Sequence, residues 1–280
     1  MRKVKIITDS TCDLSFDMIN DLGIVRVPLH VILGEDSYPD DQNLSSQHLF
    51  DYADSTGVLP KSSAVNAFEF ETVFREWLDK DYDIFFMGIS SHLSSTMQNA
   101  QTAAAQLDRS RIMIVDSLSL STGIGLQILE AADLAQNGAG INEIAAHALN
   151  IREKVQASFV VNTLKYLYLG GRCSRLASIV GSRLKIKPKL ELVGGEIVPG
   201  VKFRGDNYLD KYYKQVMERA SDIDPKRIFV THCMADKNAN EIKTKLEKQF
   251  GFTNVIITTA SPTISAHCGP GTVGILFIYR

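Results

Sequence analysis

Thiols are scarce in this chain: 280 residues carry four cysteines, and Cys12, Cys173, Cys233 and Cys268 lie far apart with no C-x-x-C pair. That spacing argues against a disulfide framework or a zinc site, and it fits a reducing cytoplasm. An excess of one charge is also missing. Lys and Arg number 30 against 32 Asp and Glu, a net charge of −2, so no global basic field points to nucleic acid. No apolar run approaches the roughly 20 residues that a membrane helix needs. The start, Met1-Arg2-Lys3-Val4-Lys5-Ile6-Ile7, passes directly into a strand-like segment and Asp9, too short an apolar stretch for a signal-peptide core. The expectation is a cytoplasmic protein with no metal, no cofactor and no nucleic-acid partner.

Familiar catalytic motifs are absent as well. There is no G-x-x-x-x-G-K-[ST], which excludes a P-loop nucleotide site by motif. No G-x-S-x-G elbow marks a serine hydrolase. Gly123-Ile124-Gly125 lacks the third glycine of a dinucleotide fingerprint and reads as close helix packing.

What is present is an ordinary globular composition, 45% apolar. The first half alternates short apolar runs with helical patterns, the mark of a parallel sheet with crossover helices. Strands are expected at residues 4–8, 84–89 and 112–115. The extended run 25–33 contains Pro28 and reads as an edge strand. Asn66 with Glu69 resembles a capping pair, and Phe70, Val73, Phe74, Trp77 and Leu78 form one apolar stripe expected to pack in the core. Helices are expected at 119–137 and 142–155.

In the second half, residues 186–193 and 196–204 flank Gly194-Gly195 as an antiparallel hairpin. A helix at 207–220, strand 227–232, helix 235–250, strand 254–260 and last strand 273–279 complete a mixed sheet with helices on one face. The expected fold is α/β with two domains: residues 1–158 around a parallel sheet, and residues 159–280 around a mixed sheet. Clefts between domains are common ligand sites.

Three strand ends of the first half run into small polar groups: Thr8-Asp9-Ser10-Thr11, Ser90-Ser91-His92-Leu93-Ser94-Ser95-Thr96 and Asp116-Ser117. Carboxyl ends of parallel strands face the ligand crevice, although Ser, Thr and Asp there also serve simply as helix caps. The segment Ser90 to Thr96 precedes a helix. Its hydroxyls and N–H groups, with the helix dipole, suit a carboxylate or phosphate. Lys61-Ser62-Ser63 reads as a polar loop whose two hydroxyls could meet the same anion. Gly170-Gly171 suits a helix end, with Arg172 directing an ion-pairing fork outward. Arg175, Lys185, Lys187, Lys189, Lys202 and Arg204 make the middle stretch basic, either as a solvated face or as a docking surface. His267 stands on a rigid Gly/Pro turn, His267-Cys268-Gly269-Pro270-Gly271, after Thr263-Ile264-Ser265. Cys173, Cys233 and Cys268 are expected to pack as small apolar groups.

Together these motifs resemble the DegV family, whose better-understood members are the fatty-acid-binding subunits of bacterial fatty acid kinase. The ordered set runs from Ile7-Thr8-Asp9-Ser10, Val27-Pro28-Leu29 and Tyr38-Pro39-Asp40 through Lys61-Ser62-Ser63, Ile89 to Thr96 and Val115-Asp116-Ser117. It continues with Thr163-Leu164-Lys165-Tyr166-Leu167, Gly170-Gly171-Arg172, Leu184-Lys185-Ile186-Lys187-Pro188 and the His267 turn. The resemblance implies two α/β domains, an acyl chain buried between or within them, and no chemistry catalysed by this chain itself. It also implies a carboxylate held at Ser62, Ser63, Ser94, Ser95 and His267, with Arg172 and Arg204 toward the kinase or the acyl phosphate. The implied partners are a long-chain fatty acid and a fatty acid kinase catalytic subunit, with transient contact to a membrane surface. This chain departs from the family at Ser95, where glycine is usual, at Ser62, which replaces threonine, and at Val65, which replaces proline. A side chain at Ser95 is expected to narrow the carboxylate pocket or to add a hydrogen bond.

Two other readings compete. One is a stand-alone acyl hydrolase or transferase using Ser94, His267 and either Asp9 or Asp116. The other is a binding module for a different small anion.

Overall fold

Three sheets organise the chain in the computed structural model, which describes residues 2–173 and 186–280. Arg175, Leu184 and Lys185 of the expected basic and motif segments lie outside the described residues.

The first sheet is parallel and four-stranded, in the order β2 (Val25–Val27), β1 (Val4–Asp9), β6 (Asp83–Gly88), β7 (Ile112–Asp116). Its central strands are covered on both faces, so Ile6, Ile7, Phe85 and Phe86 are all buried and the strands read as unbroken apolar runs. Pro28, which has no N–H, ends β2. The chain then enters a second, antiparallel sheet of order β4 (Asp36–Pro39), β3 (His30–Leu33), β5 (Lys61–Ser63). The single run expected at 25–33 is therefore two strands in two sheets, and the polar loop expected at Lys61-Ser62-Ser63 is an edge strand.

Helices α1 (Phe16–Asp21) and α2 (Ser46–Thr56) start at Ser15 and Ser45, whose hydroxyls accept from the N–H groups of Met18 and His48. Helix α3 (Ala67–Asp79) carries the expected capping box: the Asn66 side chain accepts from Glu69 N at 3.0 Å, and the Glu69 carboxylate accepts from Asn66 N at 2.7 Å. Its stripe packs as core, with the Phe70 ring edge-on to Phe86 at 4.9 Å. Helix α4 (Thr96–Ala104) follows the serine-rich segment. Helices α5 (Thr122–Gln136) and α6 (Ile141–Arg152) lead into the third sheet.

That sheet is mixed and six-stranded: β10 (Glu196–Arg204), β9 (Ile186–Val193), β8 (Val155–Val160), β13 (Thr272–Tyr279), β11 (Ile223–Cys233), β12 (Val255–Thr259). The β11–β12 pair is parallel and the others antiparallel, including the expected hairpin. Helices α8 (Tyr208–Val216) and α9 (Asp236–Phe250) cover one face, with Tyr212, Ile242 and Leu246 packed among Val230, Ile275 and Phe277. The other face is not left open, as helices on one side alone would leave it. Helix α5 contributes Ile124 and Ile128 to a buried cluster that joins Phe159 and Leu276 of this sheet with Ile6 and Met87 of the parallel one.

Helix α5 is thus buried around most of its circumference, and the two glycines make that fit. A Cβ on Gly123 would stand 3.3 Å from Cβ of Ala157, and one on Gly125 would stand 2.8 Å from Leu14 Cδ2. The sequence reading of Gly123 and Gly125 as close-packing residues holds. The boundary expected between residues 158 and 159 falls inside β8. The described residues also include short helices α7 (Lys165–Leu169) and α10 (Pro262–Cys268). Among the described residues, no helix is long and apolar enough to cross a membrane.

Candidate functional site: a cavity with one polar end

A cavity lies among β5, β8, β11, β13, α7, α10 and the loop before α4. Its wall is largely apolar, with Leu29, Ile89, Leu93, Leu120, Phe159, Leu167, Ile197, Ile264 and Leu276 contributing. Several hydroxyls in the wall are already engaged inside the protein. Ser121 Oγ donates to the Asp13 carboxylate at 2.5 Å. Thr231 Oγ1 sits 2.6 Å from Thr122 Oγ1 and 2.9 Å from Thr258 Oγ1. Thr272 Oγ1 donates to the carbonyls of Cys268 and Gly269. Such groups offer a ligand little further hydrogen bonding.

One end differs. Ser62 Oγ and His267 Nε2 are 2.7 Å apart, joining β5 to α10 across 205 positions of sequence. His267 does not sit on a loop turn, as its Gly/Pro neighbours suggest; it lies in the last turn of α10. Ser261 caps that helix by accepting from Ile264 N, Pro262 occupies its first position, and Gly269 ends it at φ +76°. Burial, assisted by the Arg172 charge, pushes the His267 imidazole down to about 4, so it is neutral at pH 7. Among the described residues, its Nδ1 is buried without a hydrogen-bond partner, as is Thr263 Oγ1 one turn earlier. Gly170 permits the close approach of α7, since a Cβ there would stand 2.5 Å from His267 Nδ1.

Ser94 also lines the cavity, with its Oγ 2.9 Å from Thr96 Oγ1 at the start of α4. Ser63 and Ser95 do not line it. Alternation along β5 puts Ser62 in the wall and turns Ser63 away, where its hydroxyl donates to Ala64 O at 3.4 Å. Ser95 is exposed, caps no N–H, and has φ −74° and ψ 1°, a conformation that needs no glycine. It neither narrows the cavity nor adds a hydrogen bond there. Val65, the other departure nearby, is fully buried in the core beneath α3.

Arg172 is half-buried at the polar end. Its guanidinium donates to Gly170 O at 2.7 Å and to Leu93 O at 3.4 Å, and burial lowers its pKa. It lines the cavity rather than reaching outward. Arg204 is exposed at the end of β10, outside the wall. The basic stretch is not one solvated face. Lys189 is 5% exposed and pairs with Glu191 and with Gln215 Oε1, while Lys187 donates to Asn162.

The residues of a hydrolase triad are not assembled. His267 is hydrogen-bonded to Ser62 rather than to Ser94, and no carboxylate among the described residues reaches its Nδ1. Asp9 accepts from Ile89 N at 2.7 Å and from Thr11, and Asp116 accepts from Ser91 N and Leu118 N. Both therefore act as loop braces, the plain capping role.

Sequence reasoning missed Asp13, which is 4% exposed and lies behind the wall in a left-handed turn at φ 52°. Its carboxylate accepts from Ser121 Oγ and from Ser261 N at 2.8 Å, tying the start of α5 to the start of α10. Burial pushes its pKa up to about 7. No local pattern marks it. The helix that it anchors was legible in Ser261-Pro262, a cap followed by proline at the first helical position.

A family model described as "Uncharacterised protein, DegV family" matches residues 3–280. A DegV domain-containing protein of Caldanaerobacter subterraneus is 31% identical over 279 residues, covering 99% of each chain. A protein of Thermotoga maritima named fatty acid-binding protein is 31% identical over 282 residues, covering 97% of this chain and 96% of its own. Among solved structures, a DegV family protein from Thermus thermophilus, described for its fatty acid binding, superimposes with a TM-score of 0.91 at 27% identity over 99% of this chain and 100% of its own. By motif order, full-length match and fold, the chain belongs to the DegV family.

Proposed function

We propose that this protein binds a long-chain fatty acid in the cavity and presents its carboxyl group to a fatty acid kinase, itself catalysing no reaction. The observation that carries this reading is an apolar cavity that ends at the Ser62–His267 pair. Burying an acyl chain contributes on the order of 0.8 kcal/mol per CH₂, so affinity needs few polar contacts. A buried carboxylate does need them, because leaving it unpaired is costly.

The donors proposed are Ser62, Ser94 and His267. A neutral imidazole that donates from Nε2 to Ser62 Oγ leaves the serine O–H free to donate to the carboxylate. Arg172, at the same end, supplies positive charge. Ser63 and Ser95 flank the donors without lining the wall. The fatty acid binding named for the Thermotoga and Thermus relatives supports the ligand class. The kinase partner rests on the motif resemblance. In this reading Arg172 meets the acyl phosphate, Arg204 meets the kinase, and loading takes place at a membrane surface.

The test is native mass spectrometry on protein extracted gently and on delipidated protein incubated with palmitate or oleate. One fatty acid per chain is expected. Protein that stays empty after both treatments overturns the reading. Binding of short anions alone would favour a small-anion module instead.

A further inference from the structure

Helix α10 carries His267 but is only seven residues long. A helix that short has little stability of its own, so its position is set by what grips it. Two buried carboxylates grip its start. Asp13, in the loop after β1, accepts from Ser261 N at 2.8 Å, and Asp40, directly after β4, accepts from Thr263 N at 3.2 Å. Asp40 is as thoroughly buried as Asp13. Burying a carboxylate is costly unless donors meet it, and here every carboxylate oxygen is met. The second Asp13 oxygen takes Ser121 Oγ at the start of α5. The Asp40 oxygen that Thr263 N reaches also takes Ser10 Oγ at 2.9 Å, and the other takes the Arg26 guanidinium at 3.3 Å. Ser10 Oγ in turn accepts from Leu29 N at 3.0 Å. Leu29, Ser121 and Thr263 all line the cavity, so the two carboxylates tie three parts of its wall together. Neither Asp13 nor Asp40 lines it.

We propose that Asp13 and Asp40 are positioning residues for the ligand carboxylate: together they fix the register of α10, and with it the point where His267 meets Ser62. Thr263 and His267 are four positions apart, on one face of the helix, so a shift at the gripped start reaches the imidazole through a single turn. The 2.7 Å contact of His267 with Ser62 depends on that register. Apolar packing, such as that of Ala266 against Val31 and Leu49, holds a helix down but lets it slide. Hydrogen bonds to charged groups are directional and short, and they fix one register. The effect on acyl binding rests on the proposed fatty acid site, whereas the effect on the imidazole does not.

The experiment uses the full, delipidated chain with Asp13→Asn and Asp40→Asn. In either variant the new NH₂ meets a group that already donates. Titration with palmitate and with hexadecanol, which has the same tail and no carboxylate, separates a misplaced histidine from a damaged cavity. Palmitate affinity should fall on the order of tenfold, while hexadecanol affinity changes less than about twofold. Proton–nitrogen correlation spectra of the histidine rings, with the His267 signals assigned by their loss in His267→Gln, should show its ring nitrogens shifted in both variants. Ser10→Ala removes one donor from Asp40 and is the milder variant should Asp40→Asn not fold; it should show the same selective loss, smaller in size. Equal losses for palmitate and hexadecanol, an unchanged palmitate affinity, or unshifted His267 nitrogens in the folded variants would each overturn the proposal. A native protein that binds no palmitate would defeat the fatty acid reading, and the His267 spectra alone would then decide whether the carboxylates position the imidazole.

Discussion

Two serine doublets flank the polar end of the cavity, built on different elements. Ser62-Ser63 belongs to strand β5, and Ser94-Ser95 precedes helix α4. In each doublet the first serine lines the cavity and the second does not. On the strand the cause is alternation, which sends neighbours to opposite faces. At the helix start the cause is the turn itself: Ser94 Oγ folds toward Thr96, while Ser95, one position on, faces solvent. Two identical dipeptides therefore split by backbone geometry and not by chemistry. A hydroxyl at a motif position is not enough to make a ligand contact.

The strongest way to break this comparison is at the first members. Ser62→Ala removes the hydroxyl shared with His267, and fatty acid affinity should fall about tenfold to a hundredfold in a titration with a fluorescent acyl probe, the range for a hydrogen bond to a charged group. Ser62→Ala and Ser63→Ala affecting affinity equally would contradict the alternation. Gly170→Ala comes next. Its new methyl would crowd His267 Nδ1 and Tyr166 O, so chemical denaturation should reveal a loss of about 1–3 kcal/mol, with weaker binding. Ser94→Ala should weaken binding by about threefold to tenfold, because this hydroxyl is shared with Thr96.

A pH series sharpens the role of His267. Its folded pKa, about 4, lies below its ordinary value of 6.5, so the unfolded chain binds the proton first and stability falls as pH drops from about 6.5 to 4. Asp13 acts in the opposite sense. Its folded pKa is raised to about 7, so it favours the folded state as pH falls from about 7 toward 3.8. The two partly cancel in the native protein. His267→Gln removes only the first contribution, so its unfolding midpoint should rise relative to the native chain as pH falls through that window. Identical pH slopes would show that His267 is not held neutral. The smallest effect belongs to the second members: Ser95→Gly should change stability and affinity within about 0.5 kcal/mol, since the exposed side chain caps nothing.

Much of the fold was legible. The parallel strands, the capping box at Asn66 and Glu69 and the hairpin at Gly194-Gly195 carry their signals within a few residues. Elements that failed to show are short or lean on distant partners. Strand β5 has three residues and exists through its pairing with β3. Helix α10 hid behind the glycines and proline that follow it, although Ser261-Pro262 announced its start. Asp13 carries no local signal at all, because its role is defined by Ser121 and Ser261, both remote in sequence.

Within the site, the sequence by itself determined the residue types and the order of motifs: serines before a helix, a histidine near the end, glycines where helices pack closely. Those are local choices, set by backbone propensity and the period of apolar residues. Tertiary structure alone decided which serines face the cavity and that Ser62 meets His267. Such contacts follow from how sheets and helices pack at long range, which no local period encodes.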